Sequence, residues 1–229
     1  MASRPFDIVA VPLVEASIEV RFPGDARVEA RRGEFQRAVR ADCPKLFVPK
    51  LQQGLAPALS PHVYRNDGGT RTIALAINLL AYSSQDYPGW KAFVERYLGY
   101  WSMLEAWVEP ERLTRVGLRY VNRFDAALRE HLRDPEIPAF LRPLGDGVVR
   151  HLGATTRVVG DHELDIKVNF DATGDAELTI DFDAHAEDIE PEKLEATLKT
   201  LHASVERSLA STLDEDHAKI LGLMAMEDE

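Results

Sequence analysis

Two carboxylates, Glu15 and Glu19, stand just ahead of Arg21 in a segment where polar and apolar side chains alternate. Period two puts Ala16, Ile18, Val20 and Phe22 on one face and Glu15, Ser17, Glu19 and Arg21 on the other, the pattern of a half-buried strand. A second segment, Leu113 to Phe124, sets Arg115, Gly117, Arg119, Val121 and Arg123 against Thr114, Val116, Leu118, Tyr120 and Asn122. If the charged faces meet, carboxylates and guanidiniums share a partly buried groove. Charges are costly to bury unpaired, so such a groove holds either an ion-pair network or an anionic or polar ligand. The candidate ligand- or partner-binding residues are therefore Glu15, Glu19, Arg21, Arg119, Tyr120, Asn122 and Arg123.

Other chemistries lack their local signatures. There is no G-x-x-x-x-G-K-[ST], no G-x-G-x-x-G and no G-x-S-x-G in the chain. The single cysteine, Cys43, sits in Asp42-Cys43-Pro44 with no motif around it and reads as a buried residue, not a nucleophile. Among the seven histidines none forms H-x-x-x-H, and one cysteine cannot make a CxxC zinc site. His162 beside Asp161 and Glu163, and His185 beside Asp181 and Asp183, could gather on an acidic strand face suited to a hard cation. Outward carboxylates on such a strand more often simply meet water. No metal, cofactor or catalytic residue is therefore assigned.

The elements that must position these residues read as α+β, with a mainly antiparallel sheet and long amphipathic helices packed on it. Pro23-Gly24-Asp25 ends the first strand, and a helix follows from about Arg27 to Arg40. Short strands are predicted at Leu46 to Leu51 and His62 to Arg65, and a strong one from Arg71 to Leu80 after the turn Asn66-Asp67-Gly68-Gly69. Trp90, Phe93, Val94, Tyr97, Leu98, Trp101, Leu104, Trp107 and Val108 recur at helical steps and predict a core-facing helix. After Leu113 to Phe124, a short helix is expected at Asp125 to Arg133, then a proline-rich connector from Pro135 to Pro143. Strands at Val148 to Val159, Glu163 to Phe170 and Glu177 to Asp183 are joined by hairpin turns. A long helix follows Pro191, with Leu194, Leu198, Leu201, Val205 and Leu209 as its stripe, and Asp214 to Leu223 reads as a final helical piece. The chain reads as one domain over 1–229. Its order of elements also suggests two related β-α-β-β-α-type halves, about 1–110 and 111–229.

Composition narrows the partners. A net charge of −11 argues against nonspecific nucleic-acid binding. The arginines crowd two segments, Arg27 to Arg40 and Arg112 to Arg123, while Asp161 to Glu195 is acidic, a polarity suited to a protein partner or an anionic ligand. No apolar run reaches the roughly 18 to 20 residues of a membrane span. The N-terminal residues show no signal peptide. A lone cysteine fits a reducing compartment, so the cytoplasm is the expected location.

At Pro12-x-x-Glu15-x-x-x-Glu19-x-Arg21-Phe22 and at Gly117-Leu118-Arg119-Tyr120-Val121-Asn122-Arg123, the chain resembles a sporadically distributed prokaryotic family. Leu201-His202 and the Thr212 to Met224 segment look similar too. The resemblance implies a whole-chain α+β domain from a prokaryote, and it supplies no reaction and no catalytic residue. The strand around Glu15 and Glu19 also loosely resembles those of triphosphate tunnel enzymes, but Ser17 stands where their E-x-E-x-K pattern needs a second carboxylate.

These readings put first a non-enzymatic interaction, accessory or regulatory partner of another protein. The alternative is a binding protein or enzyme for an anionic small molecule of nucleotide or polyphosphate type, using the charged groove.

Overall fold

The computed structural model describes residues 13–48, 60–124, 150–171 and 177–216. The expected helix at Asp125 to Arg133 and most of the Asp214 to Leu223 segment lie outside them. Among the described residues, nine strands, β1 to β9 in chain order, form one antiparallel sheet in the order β2-β3-β4-β5-β1-β6-β9-β8-β7. Three helices among the described residues, α1 to α3, complete the α+β fold. Among the described residues, no helix is long and apolar enough to cross a membrane.

The chain divides into two compact units. One comprises Val14–Arg119 with His185–Leu201. Here β1 (Leu13–Arg21) buries Ala16, Ile18 and Val20 and leaves Glu15, Ser17, Glu19 and Arg21 at least partly exposed, as its alternation demands. Asp25 caps α1 (Ala26–Val39) by accepting the backbone N–H of Arg27 at 2.7 Å. Val28, Phe35 and Val39 are its buried side chains. Next come β2 (Lys45–Phe47) and β3 (His62–Arg65), the latter paired with β4 (Arg71–Ala76).

The single strand expected from Arg71 to Leu80 is a hairpin instead. The chain turns at Ile77-Asn78 into β5 (Leu79–Ser84), which pairs with β4 and with β1. The turn is tied down from outside, because the backbone N–H of Phe22 donates to Asn78 and that of Asp25 to Ile77. Asn78 is the only turn-forming residue in an otherwise apolar run, so periodicity conceals the reversal.

Helix α2 (Trp90–Val108) buries Phe93, Val94, Tyr97, Tyr100, Trp101, Leu104 and Val108. Trp101 meets Phe22 edge-on at 5.9 Å, Tyr82 packs between Phe93 and Tyr100, and the Tyr97 hydroxyl donates to the Leu80 carbonyl. The tryptophans are core and edge-of-core residues, as their spacing predicts. The helix ends at Glu109, whose left-handed backbone (φ 44°) makes the C-cap, with Pro110 beyond it.

The other unit holds Tyr120–Ala184 and the chain from His202. It takes the second part of β6 (Leu113–Phe124), β7 (Arg150–Val159), β8 (His162–Asp171) and most of β9 (Glu177–Ile189). Gly160, at φ 65°, makes the tight β7–β8 turn in a conformation that suits glycine. Leu164, Val168, Leu178, Ile180 and Phe182 are buried. A single 3-10 turn, Pro191–Lys193, leads into α3 (Leu194–Thr212), whose Leu194, Leu198, Leu201, Val205 and Leu209 are buried.

Candidate functional site

The charged face of β1 lies beside β6 in the sheet. Glu19 Oε1 accepts from Arg21 Nε at 2.7 Å and from Arg115 Nη1 at 3.0 Å. One carboxylate oxygen thus joins two guanidiniums, and all three groups are partly exposed. Glu15 is half-buried further along the strand. Arg119 is exposed, and it has an interaction partner within the chain. On the face that the alternation singles out, Glu19, Arg21 and Arg115 thus form an ion-pair cluster. Arg115 was missing from the candidate residues because the β1–β6 register that brings it to Glu19 cannot be read locally.

Gly117 explains how Arg115 reaches Glu19. A Cβ built on Gly117 would sit 2.5 Å from Arg115 Nη1 and 3.1 Å from its Cζ, so the guanidinium lies across the bare glycine. G117A is expected to push that flexible group aside and release Glu19. Because the pair is partly exposed, stability should change by less than about 1 kcal/mol. A double-mutant cycle on urea midpoints should show R115A/G117A no less stable than R115A alone.

Tyr120 and Asn122 occupy the opposite face of β6 and are buried. The Tyr120 hydroxyl lies 3.0 Å from His202 Nδ1, and His202 Nε2 lies 3.2 Å from Glu206 Oε1. With the proton on Nε2, the imidazole donates to Glu206 and accepts from the tyrosine. The chain ties α3 to β6 through mostly shielded groups. The His202–Glu206 spacing is visible on a helix, whereas the tyrosine contact is not. Asn122 is fully buried, and its Nδ2 makes long contacts of 3.5 Å to the Tyr120 carbonyl and 3.4 Å to that of Ile180. Its Oδ1 has no hydrogen-bond partner. Arg123, on the other face, is exposed and has a partner within the chain.

Among the described residues, no group of three or more His, Cys, Asp or Glu could hold a metal ion. The acidic face does not gather His162. Strand parity puts that residue with Leu164 on the buried side, with Asp161 3.6 Å from Nδ1. Asp165 instead accepts from Thr156 Oγ1 at 2.6 Å across the β7–β8 pair. Cys43 is buried, and that burial, with Asp42 beside it, pushes the thiol up to about 11. That shift favours the protonated thiol near neutral pH, and the burial is the one expected of this residue.

One further cluster was not foreseen. Arg32, largely enclosed, donates to His62 Nε2 at 2.8 Å and pairs with Glu29 at 2.8 Å. Burial and then the Arg32 charge lower the His62 pKa below its usual value, against a smaller opposing pull from Glu29. The folded state therefore binds fewer protons than the unfolded state between the lowered pKa and about 6.5. Stability from His62 is present above that window and is lost as pH falls through it. Urea denaturation at either side of the window should show a larger acid loss for wild type than for H62Q, which keeps an acceptor without titrating.

No protein-family model matches the chain, and no curated protein matches it.

Proposed function

We propose that this chain works by binding another protein, as a cytoplasmic accessory or regulatory partner, and not by catalysis. The observation that carries this is the contrast between a charged face that satisfies itself and an apolar edge that does not. Glu19 is held by Arg21 and Arg115. At β2, where the strand order of the described residues ends, Leu46, Phe47 and Val48 are by contrast 36%, 48% and 65% exposed. Three consecutive exposed apolar side chains at a sheet edge are a docking feature.

The occupant that fits is an extended segment of a partner protein added alongside β2. Leu46 lies opposite Tyr64 in the β2–β3 register, so an apolar residue of the partner would extend that buried layer. Lys45, Phe47, Val63 and Arg65 share the other face, with Arg65 stacked 5.1 Å over Phe47. Lys45 pairs with Asp67 at 3.4 Å, so Arg65 is the cation that favours acidic side chains at the alternate positions. The segment is thus an alternating apolar and acidic strand.

The scaffold reads as a duplication of two related halves, about 1–110 and 111–229, each carrying a long amphipathic helix. The strand order supports this: β1 and β6 adjoin, with β5, β4 and β3 running outward on one side and β9, β8 and β7 on the other. Helix α2 follows β5 as α3 follows β9. The resemblance to a sporadic prokaryotic family fits a small adaptor of this kind.

The test is affinity capture from lysate of the source organism with wild type, F47D/V48D and R119A/R123A, each checked for native circular dichroism. A stoichiometric protein retained by wild type and R119A/R123A but lost with F47D/V48D is the expected result. Wild type that comes down alone contradicts the reading. Loss confined to R119A/R123A moves the protein interface from the β2 edge to the charged face.

A further inference from the structure

Among the described residues, the strand order ends at β7, which pairs with β8. Edge strands are usually blunted by charge, proline, shortness or a bulge. From Leu152 to Val158 this one carries a single charge, Arg157, and no proline. Leu152 and Val158 are each 77% exposed, and strand parity places them on one face with Ala154 and Thr156 between. Their β8 neighbours on that face are Asn169, Lys167, Asp165 and Glu163.

We propose that β7 pairs antiparallel with β7 of a second copy of this chain, about a two-fold axis at Thr155. Leu152 and Val158 stand equally far from Thr155 in sequence, so this axis sets Leu152 opposite the second copy's Val158, and does so twice. Ala154 then faces Thr156. On the reverse face Gly153 meets Arg157, so no like charges oppose each other. Moving the axis one residue either way leaves Leu152 opposite Gly160 or Val158 opposite Arg150.

Charge supports the same register. Lys167 borders Ala154 and Asp165 borders Thr156, so each crossing row runs from a lysine on one copy to an aspartate on the other. At about 4.8 Å per strand the two charges are separated by roughly 14 Å, where salt screens them, so the arrangement avoids like-charge rows and adds little attraction. The contact is isologous and closes as a dimer. It uses a different strand from the partner edge and stands independently of that reading.

Sedimentation velocity of the full chain over a concentration series tests the proposal. Wild type should show a monomer–dimer equilibrium, and L152K/V158K, which sets like charges opposite each other, should weaken it at least about tenfold. L152E/V158K restores opposite charges in this register alone and should recover the dimer. T155C should form a disulfide-linked dimer on mild oxidation, whereas L152C alone should not. Both substituted side chains are highly exposed, and unchanged circular dichroism excludes misfolding. A wild type that stays monomeric throughout overturns the proposal, as does a dimer indifferent to L152K/V158K or one abolished by F47D/V48D.

Discussion

F35A is expected to cost about 3–5 kcal/mol of stability. Phe35 is the fully buried side chain of α1 that touches Tyr64 at 5.6 Å and Trp107 at 6.3 Å between ring centres. It pins α1 at once to β3 and to α2. Removing it leaves a ring-sized cavity beneath stiff aromatic neighbours, which collapse poorly. Set against a total of about 5–15 kcal/mol for a typical domain, that loss brings the unit near its unfolding threshold. Because Tyr64 lies opposite Leu46, the variant should also loosen the edge strand proposed to receive a partner. Urea denaturation measures the first effect, and amide exchange at β2 the second. A loss below about 1 kcal/mol would mean that α1 is not held by this contact.

N122D is expected to be as damaging, and by a different route. Asn122 is fully buried, and its carbonyl oxygen has no partner. A carboxylate there would be an uncompensated buried charge, costing about 3–5 kcal/mol. Burial raises the folded-state pKa of that carboxyl above its unfolded value of about 3.9. The cost is therefore full at high pH and fades as pH falls and the folded state takes up a proton. N122L should lie within about 1 kcal/mol of wild type or above it, since it removes the orphaned acceptor along with the weak amide contacts. Chemical denaturation of the three proteins at two pH values separates these outcomes. A pH-independent loss in N122D would show that Asn122 is reached by water or by a compensating partner.

How much of this was legible depended on whether the relevant contact is local. The alternation of β1 foretold its buried Ala16, Ile18 and Val20 and its charged opposite face. The three- and four-residue steps of α2 foretold Phe93, Tyr97, Trp101 and Leu104 in the core, though Tyr100 was passed over. The β4–β5 hairpin was hidden because Ile73 to Leu80 is apolar on both faces, leaving Asn78 as the one sign of a turn. On β8, the strand parity that predicts Leu164 and Val168 inside also puts His162 inside, on the opposite face from Glu163 and Asp165.

The candidate site was harder, because its partners are distant along the chain. Glu19 and Arg115 meet across a β1–β6 register that no local pattern encodes. Tyr120 and His202 meet only once α3 lies near β6. Exposure was least legible of all. Leu46, Phe47 and Val48 look in sequence like any short buried strand, and only the strand order shows that β2 is terminal.

The most direct test of the central claim is hydrogen–deuterium exchange on the purified chain, alone and bound to its captured partner. Amides of 45–48 should be slowed at least about tenfold in the complex, as expected when a strand is added beside β2. Unchanged exchange at 45–48, with protection arising instead at Glu15 to Arg21 or Arg115 to Arg123, would contradict the edge-docking account and return the charged face to the centre of function.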